Sequence, residues 1–374
     1  MAVWYGILPI TGAFYNRNKW KKFRNRFDEL RLAPLLDYRR YRQTEGEDGV
    51  FRFTGGIESI TDGHTLWVRG EDLTIPVSLE KTVCFLLPAN EGEGIPEAPE
   101  QIRWNRVSTL TEGAKVFIGG QLKTQNNRPG FCSTKEKPLM VIFYNCPDTE
   151  LTGHIIRAAR TRNEYWNSLT PISLVIGALA LVYMAASFLG RPAFRLTVIS
   201  SLVAIFVPVL PVVPPGILFT VLYRRMTWHA RNLRAYRDIA RLPLRYLLPE
   251  YPQRQSAVLD SGEKYGYITL NSLPAQETIP WLIPENQKHG KKSKLHFFGT
   301  LADAAGEEYL LPQRSKDPFV SFGILPSDPA LLARSYTIKA YTLEALAWSV
   351  LLLGIGINVV FIIFILQLLS GAYF

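Results

Sequence analysis

The chain has 374 residues, 47% of them hydrophobic and 20% charged, and 42 Lys and Arg against 32 Asp and Glu give a net charge of +10. These proportions exclude a disordered or collagen-like polypeptide, and its 3 cysteines are too few and too scattered for a disulfide framework. The cationic excess collects beside three stretches with no charged side chain, Tyr165 to Gly190, Leu196 to Tyr223 and Ala345 to Phe374. Membrane orientation therefore accounts for it, and no nucleic-acid partner is expected.

Residues 1–43 read as an amphipathic interfacial segment. Met1 to Tyr15 is apolar and its basic residues follow rather than precede it, the reverse of a cleaved secretory signal. From Asn16 to Leu32 the residues Trp20, Phe23, Phe27 and Leu30 recur at three- and four-residue spacing, with Lys21, Lys22, Arg24 and Arg26 among the cations between them. A helix with an aromatic stripe and a cationic remainder is expected in the headgroup plane, with Trp20, Phe23 and Phe27 inserted and Lys21, Lys22 and Arg24 on anionic lipid. The alternative packs the same stripe on the β block that follows.

Residues 44–150 read as a β-rich module. Strands are predicted at Val50 to Phe53, Ile57 to Ile60, Thr65 to Val68, Leu73 to Leu79, Val83 to Leu87, Lys115 to Leu122 and Leu139 to Tyr144, with Asp62-Gly63 as a hairpin turn. Pro- and Gly-rich connections at 88–99 and 126–130 separate them, which suits a small antiparallel sandwich or barrel.

Residues 151–225 supply a connecting helix and a hairpin of transmembrane or re-entrant helices. Each uncharged stretch is long enough, at about 1.5 Å per helical residue, to cross a hydrocarbon layer about 30 Å thick. Arg157, Arg160 and Arg162 precede the hairpin, and Arg224, Arg225, Arg231, Arg234, Arg237, Arg241 and Arg245 follow it, so both ends belong on the cytoplasmic face. Pro208, Pro211, Pro214 and Pro215 break the second stretch, each deleting a backbone donor that lipid cannot replace. Arg224, Arg225, Arg231 and Arg234, at the start of a basic juxtamembrane helix over 226–253, would hold lipid headgroups.

Residues 254–334 read as a second β-rich module, and 335–374 as a connecting helix and a C-terminal span whose Asn358 and Gly354 serve helix packing. The second module echoes the first: Lys115-Val-Phe-Ile-Gly-Gly-Gln-Leu122 aligns with Lys294-Leu-His-Phe-Phe-Gly-Thr-Leu301, and Pro138 to Phe143 with Pro318 to Phe322. Asp148 and Asp328 then open helices that run towards Trp166 and Trp348, giving β module, helix and span twice over.

This order, with the strand around Gly119-Gly120-Gln121-Leu122, a strand ending near Tyr144, a basic helix and a span, resembles the GIDE-type membrane domain. The resemblance covers Thr44 to Ala186 and, more faintly, Tyr265 to Leu369. It implies a membrane-tethered β scaffold for protein contacts. The zinc-binding RING that gives a ligase of that family its activity does not carry over, because three scattered cysteines do not make two zinc sites.

His64, His154, His229, His289 and His296 stand apart without HxxxH or HExxH spacing, and Glu45-Gly-Glu-Asp48 and Glu91-Gly-Glu93 fall in Gly-rich connections. No catalytic residue, metal site or cofactor is expected. The chain thus reads as an α+β integral membrane protein with two small antiparallel β modules and three membrane helices, sited in a bacterial inner membrane with its modules in the cytoplasm. Its expected work is that of a non-enzymatic scaffold or assembly factor, with anionic lipids and a membrane or cytoplasmic protein as partners and self-association compatible with both. The other reading is a subunit of a transport or lipid-handling complex that uses the proline-broken stretch.

Overall fold

The computed structural model describes residues 3–371 except 44–48, 62–63, 81, 89–98, 104–106, 108–112, 126–127, 135, 162–166, 213, 248–255, 273–278, 284–293 and 302–310. Helices α1 (Leu8–Leu32) and α2 (Tyr38–Gln43) lead into β1 (Val50–Thr61), β2 (Thr65–Arg69), β3 (Thr74–Ser78), β4 (Val83–Leu86), β5 (Glu100–Ile102), β6 (Lys115–Gln125), β7 (Arg128–Cys132) and β8 (Met140–Tyr144). Then come α3 (Asp148–Thr161), α4 (Leu169–Phe188), α5 (Arg195–Ile205), a 3₁₀ segment (Val207–Val212) and α6 (Gly216–Arg241). Strands β9 (Ser256–Val258), β10 (Lys264–Leu270), β11 (Leu295–Thr300) and β12 (Gly323–Leu325) precede the long α7 (Pro329–Gly371). The chain is α+β and divides into a helical unit (Met1–Lys22, Asn163–Arg234, Thr337–Phe374) and a β-rich unit (Phe23–Arg162, Ala235–Tyr336).

In the β-rich unit, β1 begins its ladder with β6 (Val50↔Gln121 to Gly56↔Lys115) and ends it with β2 (Gly56↔Arg69 to Thr61↔Thr65). The changeover falls at Gly55-Gly56. A Cβ on Gly55 would lie 2.2 Å from the Arg69 carbonyl oxygen, so only glycine allows the backbones to approach this closely at the corner. The pairings β1-β2-β3-β7-β6-β1 close a five-stranded barrel, with β8, β4 and β5 continuing from β6. Small Greek-key barrels of this size occur among oligonucleotide- and oligosaccharide-binding folds, but ligand identity does not follow from the fold.

Alternation fills the barrel: Leu66 and Val68 of β2, Ile75 and Val77 of β3, and Val116 and Ile118 of β6 point inward and are completely buried. β8, an unbroken apolar run, is buried on both faces, as a strand covered on each side must be. The second sheet, β12-β11-β10-β9, is antiparallel throughout, with its own core around Ile279, Leu295, Phe297 and Ile324. The first block is therefore a closed barrel with parallel steps at β3–β7 and β4–β8, not a purely antiparallel module.

Several expected elements appear with adjusted limits. Val50 to Phe53 and Ile57 to Ile60 belong to one strand, and the Asp62-Gly63 turn, like both acidic clusters, lies outside the described residues. The segment Pro318 to Phe322, aligned with Pro138 to Phe143, is not itself a strand; the strand forms just after it at Gly323–Leu325 and pairs with β11 (His296↔Leu325). Helix α7 starts where the sequence indicates: Asp328 Oδ1 accepts from the amides of Ala330 at 2.8 Å and Leu331 at 3.0 Å, with Pro329 preset for the first turn.

Among the described residues two helices are long and apolar enough to cross a membrane, Leu169–Phe188 and the stretch Pro329–Ile365 of α7. Three were expected; the stretch from Leu196 to Tyr223 is divided among α5, the 3₁₀ segment and the first turns of α6. The 11 residues of α5 span about 16 Å, roughly half a hydrocarbon layer, and the prolines account for the division.

Candidate functional site

Helices α4 and α7 keep most of their apolar side chains on the outside. Leu179 is 63% exposed, Val360 65% and Leu352 62%. Burying such a side chain is worth about 1.5–3 kcal/mol, and the described residues supply no cover for these. The N-terminal segment joins the same unit: the Tyr5 ring and Trp4 lie where a Cβ on Gly177 of α4 would be, and Asn167 Nδ2 donates to the Pro9 carbonyl at 3.4 Å.

Asn358 and Gly354 sit together on α7 against the proline-broken segment. Asn358 is 3% exposed and its amide donates to the Leu210 carbonyl at 2.5 Å. The Thr220 hydroxyl donates to the Pro211 carbonyl, so two carbonyls near the break have side-chain donors. Gly354 admits Phe219, whose Cβ would be 2.6 Å from a Cβ placed there. These are packing contacts within one chain, made by a buried amide and a small residue as in membrane helix pairs. Asn358→Leu is expected to lower stability in detergent by about 0.6–2 kcal/mol, the range for interhelical hydrogen bonds in lipid. Chemical unfolding followed by tryptophan fluorescence measures it, and an unchanged midpoint would mean the Leu210 carbonyl finds another donor.

The headgroup set divides. Arg224 and Arg225 are exposed, and Arg231 is half-buried. Arg234 instead forms an ion pair with Glu344 and lies 5.3 Å over the Tyr341 ring, inside the helical unit.

The interfacial stripe of α1 is placed in the protein instead of lipid. Trp20 is 2% exposed. In the β-rich unit, the Phe23 ring packs 4.5 Å from Phe85, and Phe27 meets Phe117 of β6 at 5.4 Å. Gly119 leaves room for Leu30, whose Cδ1 would be 2.8 Å from a Cβ at that position. The sheet offers aromatic rings a dry surface, so buried Phe23 and Phe27 are unavailable for headgroup insertion. Lys21 and Lys22 remain exposed, while Arg24 donates to the Ala159 carbonyl at 3.2 Å.

Basic residues counted for orientation also have structural tasks. Arg160 and Arg237 grip opposite oxygens of Asp238, with Nε–O distances of 2.9 and 2.8 Å. Burial alone would raise the Asp238 carboxyl, but the two guanidinium groups hold it below the usual range. A depressed folded value contributes stability that is full above the ordinary aspartate value, about 3.9, and is lost as pH falls through the folded one. Denaturation midpoints should therefore fall on acidification from pH 5 towards 3, with a shallower slope in Asp238→Asn. Equal slopes would contradict the assignment.

Sequence reasoning did not find a cleft of about 440 Å³ within the β-rich unit. The first turns of α3 form one wall, with Thr152 and His154 each 7% exposed. The Thr152 hydroxyl and His154 Nδ1 are buried without a hydrogen-bond partner, an arrangement that costs about 1–3 kcal/mol per group. Burial, aided by Arg157, pushes the His154 imidazole down, which favours its neutral form. Exposed Arg157, Arg314 and Glu150 stand at the rim, and Trp281, Ile239 and Phe319 supply apolar wall. The residues come from α3, the end of α6 and its following turn, the β10–β11 connection and the loop before β12, so no local motif announces them.

Among the described residues no three His, Cys, Asp or Glu side chains are grouped as a metal site would require. Cys84 and Cys132 are buried and Cys146 half-buried, all as free thiols; burial pushes the Cys84 thiol up to about 12. No family model matches the sequence, and no curated protein or solved structure is significantly similar to it. The likeness to the GIDE-type domain rests on the quoted residues alone.

Proposed function

We propose that the chain is a membrane-anchored, non-enzymatic scaffold or assembly factor, held in lipid by α4 and α7 and presenting its β-rich unit to partners in the cytoplasm. The observation that carries the anchoring is the outward apolar surface of two long helices, with only 28% of the α4 window and 11% of the α7 window buried. A core helix of a water-soluble domain would be largely covered; lipid needs no cover. Exposed Arg224 and Arg225 support a cytoplasmic face, because the orientation rule counts cations near helix ends whether or not acids neutralise them. These two arginines are also where anionic headgroups would be held.

Partner binding is supported by open sheet edges. β5 and β9 each end a sheet, and Val258 on β9 is 75% exposed. An extended segment adds to such an edge through main-chain hydrogen bonds. Side chains of the same unit engage the carbonyls of Leu210 and Pro211, which supports a structural part for the proline-broken segment.

Photo-crosslinking residues placed at Val258 and Gln101 test the scaffold in cells. Discrete adducts with one partner or with a second copy are expected, whereas an absence of adducts at both edges would count against it. Arg225→Cys should react with a membrane-impermeant maleimide only after permeabilisation; reaction in intact cells would overturn the orientation.

A further inference from the structure

The cleft beside α3 does something that neither anchoring nor edge pairing requires. Its volume, about 440 Å³, falls within the span of small-molecule sites. Two polar atoms with nothing to bond, the Thr152 hydroxyl and His154 Nδ1, lie in side chains 93% buried by exposure of 7% each, and both residues line the cavity. Among the described residues neither atom has a hydrogen-bond partner, so the wall behind the cleft is polar and unsatisfied.

The mouth adds charge. Arg157 and Arg314 are both exposed at the rim, and the Arg314 guanidinium is steadied 5.4 Å over the Phe322 ring. Their two positive charges face one negative charge, that of Glu150, since His154 is favoured neutral. The wall between floor and rim is apolar, formed by Trp281, Leu282, Ile239, Leu242 and Phe319.

We infer that this cleft binds a small organic anion, with a phosphate or carboxylate head held by Arg157 and Arg314 and an apolar body against Trp281 and Phe319. Guanidinium groups suit such heads because paired N–H donors match the spacing of the oxygens. Nothing in this inference depends on the scaffold reading, and either stands if the other fails.

Fluorine NMR of fluorophenyl phosphate and fluorobenzoate tests it on the full chain in phosphatidylcholine nanodiscs. Broadening of at least one probe is expected, and the double variant Arg157→Gln with Arg314→Gln should weaken binding roughly tenfold or more, as loss of charge-assisted hydrogen bonds does. Gly153→Leu provides a second test. A Cβ at Gly153 meets nothing within 4 Å, so the larger side chain fills the cleft while favouring the helix; binding should vanish with the thermal midpoint kept. Competition by dihexanoyl phosphatidic acid would assign the head to a lipid, and its absence to a soluble metabolite, both within the inference. No broadening of either probe, or broadening that survives both variants unchanged, would overturn it.

Discussion

Asp317→Ala is expected to destabilise the β-rich unit by about 3–5 kcal/mol, the usual cost of leaving one partner of a buried ion pair alone. Arg52 of β1 donates from Nε to the Ala33 carbonyl at 2.7 Å and from Nη1 to Asp317 Oδ1 at 3.0 Å, and Nη2 meets the other carboxylate oxygen. Asp317 also accepts from the Phe319 amide at 3.0 Å, and the Arg52 guanidinium lies 5.1 Å over the Phe319 ring. The two side chains are only 7% and 14% exposed. Removing the carboxylate therefore strands a charge between the barrel and the loop before β12. Replacing both residues by apolar ones, Arg52→Met with Asp317→Leu, should cost less than the single change, because no charge is then left unpaired. Urea midpoints of the wild type, the single variant and the double variant measure both. A single-mutant loss under about 1 kcal/mol would place the pair among solvated surface bridges.

Phe27→Ala is expected to cost a similar amount, about 3–5 kcal/mol, as truncating a buried phenylalanine does. Phe27 is 1% exposed and meets Phe117, which in turn lies 5.4 Å from Phe319. One deletion thus opens a void in a three-ring stack joining α1, β6 and the loop before β12. Insertion of the ring between headgroups predicts the opposite pattern, with unchanged unfolding and weaker binding to vesicles. The Phe27→Ala variant in detergent separates the two, since the stack survives without lipid and a headgroup contact does not.

The α1 stripe shows how far sequence carries. Three- and four-residue spacing of Trp20, Phe23, Phe27 and Leu30 identifies a helix with a buried face, but periodicity is blind to whether sheet or bilayer covers it. Gly119 held the missing information, because a glycine on β6 leaves the space that Leu30 occupies. Strands β1, β2, β6 and β8 were legible from apolar alternation or apolar runs. β7 was not, because Pro129-Gly130 reads as a turn; it is tolerated because β7, paired with β6 from Arg128 to Cys132, meets β3 only at Val77↔Phe131. Barrel closure was likewise hidden, since it depends on one strand changing partners at Gly55-Gly56.

The two long apolar helices were legible because lack of charge over a long stretch is a one-dimensional signal, whereas the third expected stretch is divided at its prolines. The cleft was not, since His154, Ile239, Trp281 and Arg314 are brought together only by folding. Asn358 lies between: a lone amide in an apolar helix announces a contact, and the structure identifies Leu210 as its acceptor.

Lipid contact by α4 and α7 is the premise on which anchoring rests, and spin-label accessibility at Leu179→Cys and Val360→Cys, in a Cys146→Ser background reconstituted in bilayers, tests it most directly. The account predicts high collision rates with oxygen and low rates with a water-soluble nickel chelate at both positions. Ready access of the nickel chelate to either label would contradict it.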